Sequence, residues 1–283
     1  MKKLLVLPLL LLAALSCRTI SSPCSIPAPG EQTETSTDTP PGDALTLRLV
    51  QYNVGAFNKS GSSTIGMVAD MMKELRADVV SLNEVDSVTT RTGKVDQIKE
   101  FAEMMGGWHY RYAWAIPFQG GKYGVGAAAR ADLQYKQDYV VHLPKGDGRE
   151  ERAVAVMEFD RFVFAATHLD LTHDSQMEQV RAINDFFNGT FTGTEKPVFL
   201  CGDFNAVAGS DTINALLKDW KIISHKGNTY SAVNPRKHID YVFLWKRGGD
   251  VQVTDSGICT DFSSGDVTVA SDHLPVFVDV ILP

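Results

Sequence analysis

Residues 152–168, RAVAVMEF-D-RFVFAATH, decide the fold. Two apolar runs, 152–159 and 161–168, read as strands rich in Val, Ala and Phe. Asp160 alone separates them, and one residue leaves no room for the helical crossover that parallel neighbours require. The two runs therefore form a hairpin, and a purely parallel alternating sheet is ruled against. Working outward, strand-like segments occur at 45–53 (LTLRLVQYN), 78–85 (DVVSLNEV), 110–116 (YRYAWAI) and 123–129 (YGVGAAA), and again at 196–204 (KPVFLCGDF), 239–246 (IDYVFLWK) and 275–282 (PVFVDVIL). Helical spacing is found in Val68, Met71, Met72 and Leu75, and in Ile98, Phe101, Ala102 and Met105. A third helix is predicted to begin near Ser175, with Glu178 completing a capping box. Few helices and many strands predict an α/β sandwich of two mixed sheets with helices outside.

The 283 residues are 44% apolar and 22% charged, which excludes a disordered, fibrous or multi-span membrane chain. Lys and Arg number 27 against 34 Asp and Glu. Leaving out residues 1–43 keeps 24 basic against 30 acidic residues, so the remainder stays acidic. That balance argues against a protein that coats nucleic acid, yet permits an enzyme that grips one phosphate at a time.

Lys2 and Lys3 precede an apolar run, Leu4 to Leu15, too short to span a bilayer and suited to an export signal. Its end, Ala14-Leu15-Ser16-Cys17, resembles a bacterial lipoprotein signal, which implies that Cys17 is acylated and anchors an exported chain to a membrane. The alternative is an ordinary signal cut near Ser16. Residues 18–43 hold five Pro, nine Ser or Thr and no aromatic residue, a composition that predicts a disordered tether. Residues 44–283 carry no long linker and no repeat, so a single catalytic-sized domain is predicted there. Of four Cys, only Cys201 and Cys259 fall in it, either paired or as buried thiols, and no spacing suggests zinc.

Apolar runs stop repeatedly at a residue able to hold a metal, a proton or a phosphate: Asn53, Glu84, His168, Asp203 with Asn205, Asp240, and Asp272 with His273. Each alone is a common turn or rim residue. Together they gain meaning, because strand ends about 4.8 Å apart on one side of a sheet gather distant residues into one pocket. Clustered carboxylates repel unless a cation is present, and oxygen ligands without thiolate select magnesium first, with manganese or calcium as alternatives. Such an ion can stabilise the charge that develops when a P–O bond breaks.

The strings QYNV (51–54), LNEV (82–85), EERAVAV (150–156), THLDL (167–171), GDFN (202–205), HIDYVF (238–243) and SDHLPV (271–276) resemble, in order, those of the endonuclease/exonuclease/phosphatase superfamily. The resemblance implies the deoxyribonuclease I-like fold, a four-layer α/β sandwich of two mixed β-sheets flanked by helices. It implies Glu84 as the principal metal carboxylate, Asn53 as the polar group orienting the metal or its water, and Asp272 as a second metal or water ligand. Asp203 would position the attacking water and Asn205 would hold a phosphate oxygen. His273 would be the general base or a cation facing the phosphate, with Asp240 fixing its tautomer. His168 would contact the phosphate or assist the leaving group, oriented by Glu151 unless the alignment slips to Glu150.

The implied activity is hydrolysis of a phosphate ester by an activated water. Nuclease or phosphodiesterase action comes first, and a sphingomyelinase-like or inositol-phosphate activity second. A binding module without catalysis is the third reading. No obligate protein partner is evident. His142, His225 and His238 match no string and are expected to pack or sit at the surface. Arg236 and Lys237 would either guide an anion or form a solvated pair. The glycines of YGVGAAAR are not expected to cradle a nucleotide, since no helix starts behind them.

Overall fold

Both faces of the central strands are apolar, and this builds layers on either side of each sheet. The computed structural model describes residues 44–283; the expected signal segment with Cys17 and the expected tether with Cys24 lie outside the described residues. The strands are β1 (Leu45–Asn53), β2 (Val79–Ser87), β3 (His109–Phe118), β4 (Gly121–Ala129), β5 (Tyr135–Leu143), β6 (Arg152–Phe159), β7 (Val163–His168), β8 (Val198–Asp203), β9 (Trp220–Ile222), β10 (Asp240–Trp245), β11 (Gln252–Ile258) and β12 (Val276–Leu282). The helices are α1 (Ile65–Glu74), α2 (Gln97–Met104), α3 (His173–Thr190), α4 (Asp211–Leu216) and α5 (Val267–Ala270).

The strands form two six-stranded sheets, ordered β11-β12-β1-β2-β4-β3 and β5-β6-β7-β8-β10-β9. In each, the central pair is parallel, β1 with β2 and β7 with β8, and the other pairs are antiparallel. Leu47 and Leu49 point inward to meet Ala153, Ala155, Phe164 and Phe199 of the other sheet. On the same strand, Val50 and Tyr52 point outward onto Val68, Met72 and Phe101 of α1 and α2. Val163, Ala165, Val198 and Leu200 likewise face Val180, Ile183 and Phe187 of α3 and Ile213 of α4. The four-layer sandwich follows from this alternation, with each fully buried large side chain contributing about 1.5–3 kcal/mol.

The predicted hairpin is present. Phe159 N–H donates to the Phe162 carbonyl at 2.8 Å, so the loop is Asp160-Arg161 and β7 starts at Val163, two residues later than expected. The third helix departs from the expectation in the other direction: α3 starts at His173. The Ser175 hydroxyl instead donates to the Lys145 carbonyl at 2.6 Å, so no capping box forms. Strands β5, β9 and β11 escape the sequence reading. β5 and β11 lie at sheet edges, where one face meets water and the apolar signal is diluted, and β9 has only three residues. Cys201 is a buried free thiol in the inter-sheet core, and Cys259 is buried in the outer core of the first sheet. Burial pushes the Cys201 thiol well above its ordinary pKa. No helix among the described residues is long and apolar enough to cross a membrane.

Candidate active site

Parallel pairing places the C-terminal ends of β1 and β2 together, with Asn53 opposite Asn83, and those of β7 and β8 together, with His168 opposite Asp203. β10 enters antiparallel to β8, and its first residue, Asp240, falls opposite Asp203. The chain then returns to β12 through Asp272 and His273, fastened where the Ser271 hydroxyl donates to the Asn53 carbonyl at 2.5 Å. One cleft of about 710 Å³ results, with Glu84, Glu150, Arg152, His168, Asp203 and His273 among its walls.

Glu84 reaches that cleft because β2 bulges there. The β2–β4 register shifts between Asn83 and Val85, and Glu84 adopts a left-handed conformation, φ 57°. A bulge re-aims one side chain out of the ladder, and a non-glycine residue held at positive φ marks local strain of the kind found at functional sites. Asn205, φ 49°, turns in the same way just after β8.

Asp240 is buried and hydrogen-bonded on every side: Thr229 donates at 2.5 Å, Gln51 at 3.2 Å, and His273 Nδ1 lies 2.9 Å away. A carboxylate on Nδ1 leaves His273 Nε2 facing the cleft, 3.5 Å from Asp203 Oδ2. Burial alone would lower the His273 pKa, but the Asp240 carboxylate outweighs it and holds the imidazole above its ordinary value. Burial, reinforced by Asp240, pushes Asp203 up. At 3.5 Å each group also acts on the other: the Asp203 carboxylate adds to the pull that raises His273, and His273 opposes the rise at Asp203. Asp203 Oδ1 accepts the Asn205 N–H at 2.9 Å, and Asn205 Nδ2 stands 3.0 Å from His168 Nε2.

Asn53 donates its amide to Glu84 Oε1 and Asp203 Oδ2, both at 3.1 Å, while its oxygen accepts the Gly55 N–H. In this arrangement it ties the two carboxylates together. Asp272 has one oxygen on Lys59 Nζ at 2.8 Å and the other buried without a partner. An orphaned carboxylate oxygen on a residue lining the same cleft as Glu84, with no cysteine among the lining residues, fits a hard divalent cation. Asp203, Asp240 and His273 also bring ligand atoms within 4.8 Å of one another. The hydrogen bonds that already occupy Asp240 favour a proton-handling role for that trio.

The structure thus gathers Asn53, Glu84, His168, Asp203, Asn205, Asp240, Asp272 and His273. It leaves Glu151 exposed and outside the cleft, and Glu150 lines the wall instead. The group on His168 Nδ1 is neither of them, but Arg152 Nη1 at 3.4 Å. Arg152 was overlooked because it opens an apolar strand, and a charge at a strand end reads as exposed. Gln51, Asn83, Thr229 and Lys59 were also missed. Gln51 and Asn83 stand inside the strings QYNV and LNEV. His142 packs edge-on against Trp114 and His238 stacks on Tyr241, as expected of packing histidines. Lys237 lines the cleft beside Tyr230. Gly124 and Gly126 pack against Ala113 and Ile98 across the sheet and its helix, not around a nucleotide.

Carboxylates, amides and imidazoles gathered at one end of this sandwich form a site of the kind that hydrolyses phosphate esters. The chain belongs to the endonuclease/exonuclease/phosphatase family, whose sequence model matches residues 50–273. Its fold is similar to that of an endonuclease/exonuclease/phosphatase family protein from Bacteroides thetaiotaomicron, with TM-score 0.68, 16% identity, and 85% of this chain and 96% of that one covered. A mannosyl-6-phosphatase from the same organism gives TM-score 0.65 at 18% identity, covering 83% and 99%. The human nocturnin catalytic domain with bound sulfate gives 0.64 at 16%, covering 85% and 97%. No curated protein sequence matches the chain.

Proposed function

We propose that the protein is a divalent-metal-dependent phosphoesterase that hydrolyses phosphodiester bonds, with nucleic acid as the first substrate class. The observation that carries this reading is the sequence of contacts Asp240–His273–Asp203, a hydrogen bond at 2.9 Å followed by an ion-pair contact at 3.5 Å, in the wall of the cleft that Glu84, His168 and Asn205 also line. A water held by Asp203 attacks phosphorus in line with the leaving oxygen, and its proton passes to the Asp203–His273 pair. The P–O bond then breaks with its electrons on the leaving oxygen. Asp240 fixes the tautomer and charge of His273. A divalent ion held by Glu84 and the free oxygen of Asp272 would neutralise phosphate charge when bound.

Family membership supports a phosphate-ester substrate, and the related folds of a phosphatase and of sulfate-bound nocturnin support a tetrahedral anion in the cleft. Exposed Leu171 and Val207 line the cleft mouth and favour, as a second reading, a lipid or inositol phosphodiester. We further propose, from the sequence of residues 1–17, that the protein is exported and anchored through a lipid on Cys17.

DNA, sphingomyelin and inositol phosphates assayed side by side with magnesium, then with chelator, test the reading. Metal-dependent turnover of DNA is expected, and preferential turnover of sphingomyelin or inositol phosphates moves the substrate to the second reading. Binding of phosphate with no turnover of any ester overturns catalysis. In the same preparation, Cys17→Ser is expected to shift the protein from the membrane to the soluble fraction, and an unchanged membrane fraction overturns the anchor.

A further inference from the structure

Lys59 places its ammonium 2.8 Å from Asp272 Oδ2, with the two side chains 37% and 36% exposed. An ion pair that open to water usually contributes little. Two features of its surroundings separate it from an ordinary surface pair. Asp272 lines the same cleft as Glu84, and its other oxygen, Oδ1, is buried with no partner. The lysine stem, for its part, lies flat on Gly55: a Cβ built there would meet Lys59 Cε at 2.5 Å, Cγ at 2.6 Å and Cδ at 2.9 Å. Backbone conformation does not account for that glycine. Gly55, Ala56 and Phe57 are all left-handed, with φ of 53°, 57° and 48°, so residues that carry a Cβ adopt the same φ immediately afterwards. What position 55 excludes is a side chain between its own backbone and the Lys59 stem. Gly55 also gives its N–H to Asn53 Oδ1 at 3.1 Å, and Asn53 in turn donates to Glu84 and Asp203. The turn that ties Asn53 to the carboxylates therefore also seats the lysine. Burial pulls the Lys59 pKa down, but Asp272 and Glu84 outweigh it, so the group stays charged.

We propose that Lys59, seated on Gly55, is the cleft's own cation: a positioning residue that holds one oxygen of Asp272 and keeps divalent-ion affinity lower than the carboxylates alone would give. This rests on the reading of the cleft as a divalent-metal phosphoesterase site. An ammonium fixed on one oxygen of a carboxylate weakens the negative charge that the other oxygen offers, and it repels a divalent ion drawn to that oxygen. In the metal-free protein the same ammonium neutralises Asp272, which would otherwise add to the repulsion among Glu84, Asp203 and Asp240. The affinity of the site is then set by the Gly55 turn as well as by the ligands, and the ion exchanges readily.

Titration calorimetry of magnesium into the full-length, chelator-treated protein tests this. Lys59→Met keeps the stem and removes the charge, and it is expected to lower the magnesium Kd about tenfold. Lys59→Arg keeps the charge and is expected to stay within about threefold of the wild type. Gly55→Ala pushes the stem off its seat without changing any charge, so it should tighten binding part of the way. Combined with Lys59→Met it should add nothing further, because both act through one contact. Glu84→Gln in the Lys59→Met background should abolish the gain, which locates the ion in the cleft. The two Lys59 variants alter only a part-exposed side chain and decide the matter even if Gly55→Ala fails to fold. An unchanged Kd in Lys59→Met overturns the proposal, and a higher one shows that Lys59 merely props Asp272. Lys59→Arg binding as tightly as Lys59→Met overturns it too, since the charge would then be irrelevant. Magnesium binding to none of the variants removes the ion from the cleft and the role of Lys59 with it. A protein that binds magnesium yet turns over no phosphate ester sinks the phosphoesterase reading instead, and the calorimetry still decides Lys59.

Discussion

Two histidines face one cleft, His168 from the end of β7 and His273 from the chain leading into β12 of the other sheet, and their second neighbours give them opposite characters. His273 has a buried carboxylate on Nδ1, and His168 a guanidinium. Burial pulls both imidazoles down; Arg152 adds to that at His168, while Asp240 overcomes it at His273, so one pKa lies below and the other above the ordinary imidazole value. The sign for His273 can be tested by removing its anion. In Asp240→Asn the largest attraction that favours imidazolium is lost while burial persists and only Asp203 and Asp272 still oppose it, so the pKa of His273 should fall. Proton NMR titration of the metal-free protein reads this directly, with His273→Gln identifying the resonance. An unchanged or higher His273 pKa in Asp240→Asn would show that Asp240 is not its charge partner.

At the level of elements, Gly202 joins β7 to β8 just before Asp203. A Cβ built there would lie 2.2 Å from the Thr167 carbonyl oxygen, a backbone atom that cannot swing away. Gly202→Ala must therefore push β8 off β7, at a cost of about 1–3 kcal/mol from overpacking, and carry Asp203 away from His168. Denaturant melts should show that loss, and turnover should fall more than the melts alone account for. Wild-type stability in this variant would mean that the strands are not held at this spacing. The sequence exposed Gly202 and Asp203 together because strand and site residue are contiguous in GDFN. It concealed Arg152, Thr229 and Lys59, whose partners lie 16, 11 and 213 positions away and meet them only through tertiary pairing. Edge strands were equally hidden: the first four residues of β11 are all exposed, so no apolar alternation marks that end.

Across the whole molecule, the site is a joint between the sheets. Asn53 and Glu84 come from one sheet, His168, Asp203 and Asp240 from the other, and Asp272 and His273 from the chain returning to the first. Beneath them the buried amides of Gln51 and Asn83 cross the interface: Gln51 reaches Asp240, and Asn83 donates to the Thr167 carbonyl at 2.8 Å and accepts the Asp203 N–H at 2.9 Å. The carboxylates gathered above that joint repel one another, so the bare protein holds its sheets together against local charge. A cation bound there relieves the repulsion and binds only the assembled sandwich, so it should stabilise the entire fold. At a magnesium concentration about 100 times its Kd the gain is about 2.7 kcal/mol, or roughly 5–10 °C in Tm for a protein of this size. Calorimetry with magnesium and with chelator measures it. Glu84→Gln, which removes the charge but leaves the bulge and its hydrogen-bonding side chain, should show under about 1 °C of that rise. An equal rise in wild type and Glu84→Gln would place the ion elsewhere, and no rise in either would remove the cation from the cleft.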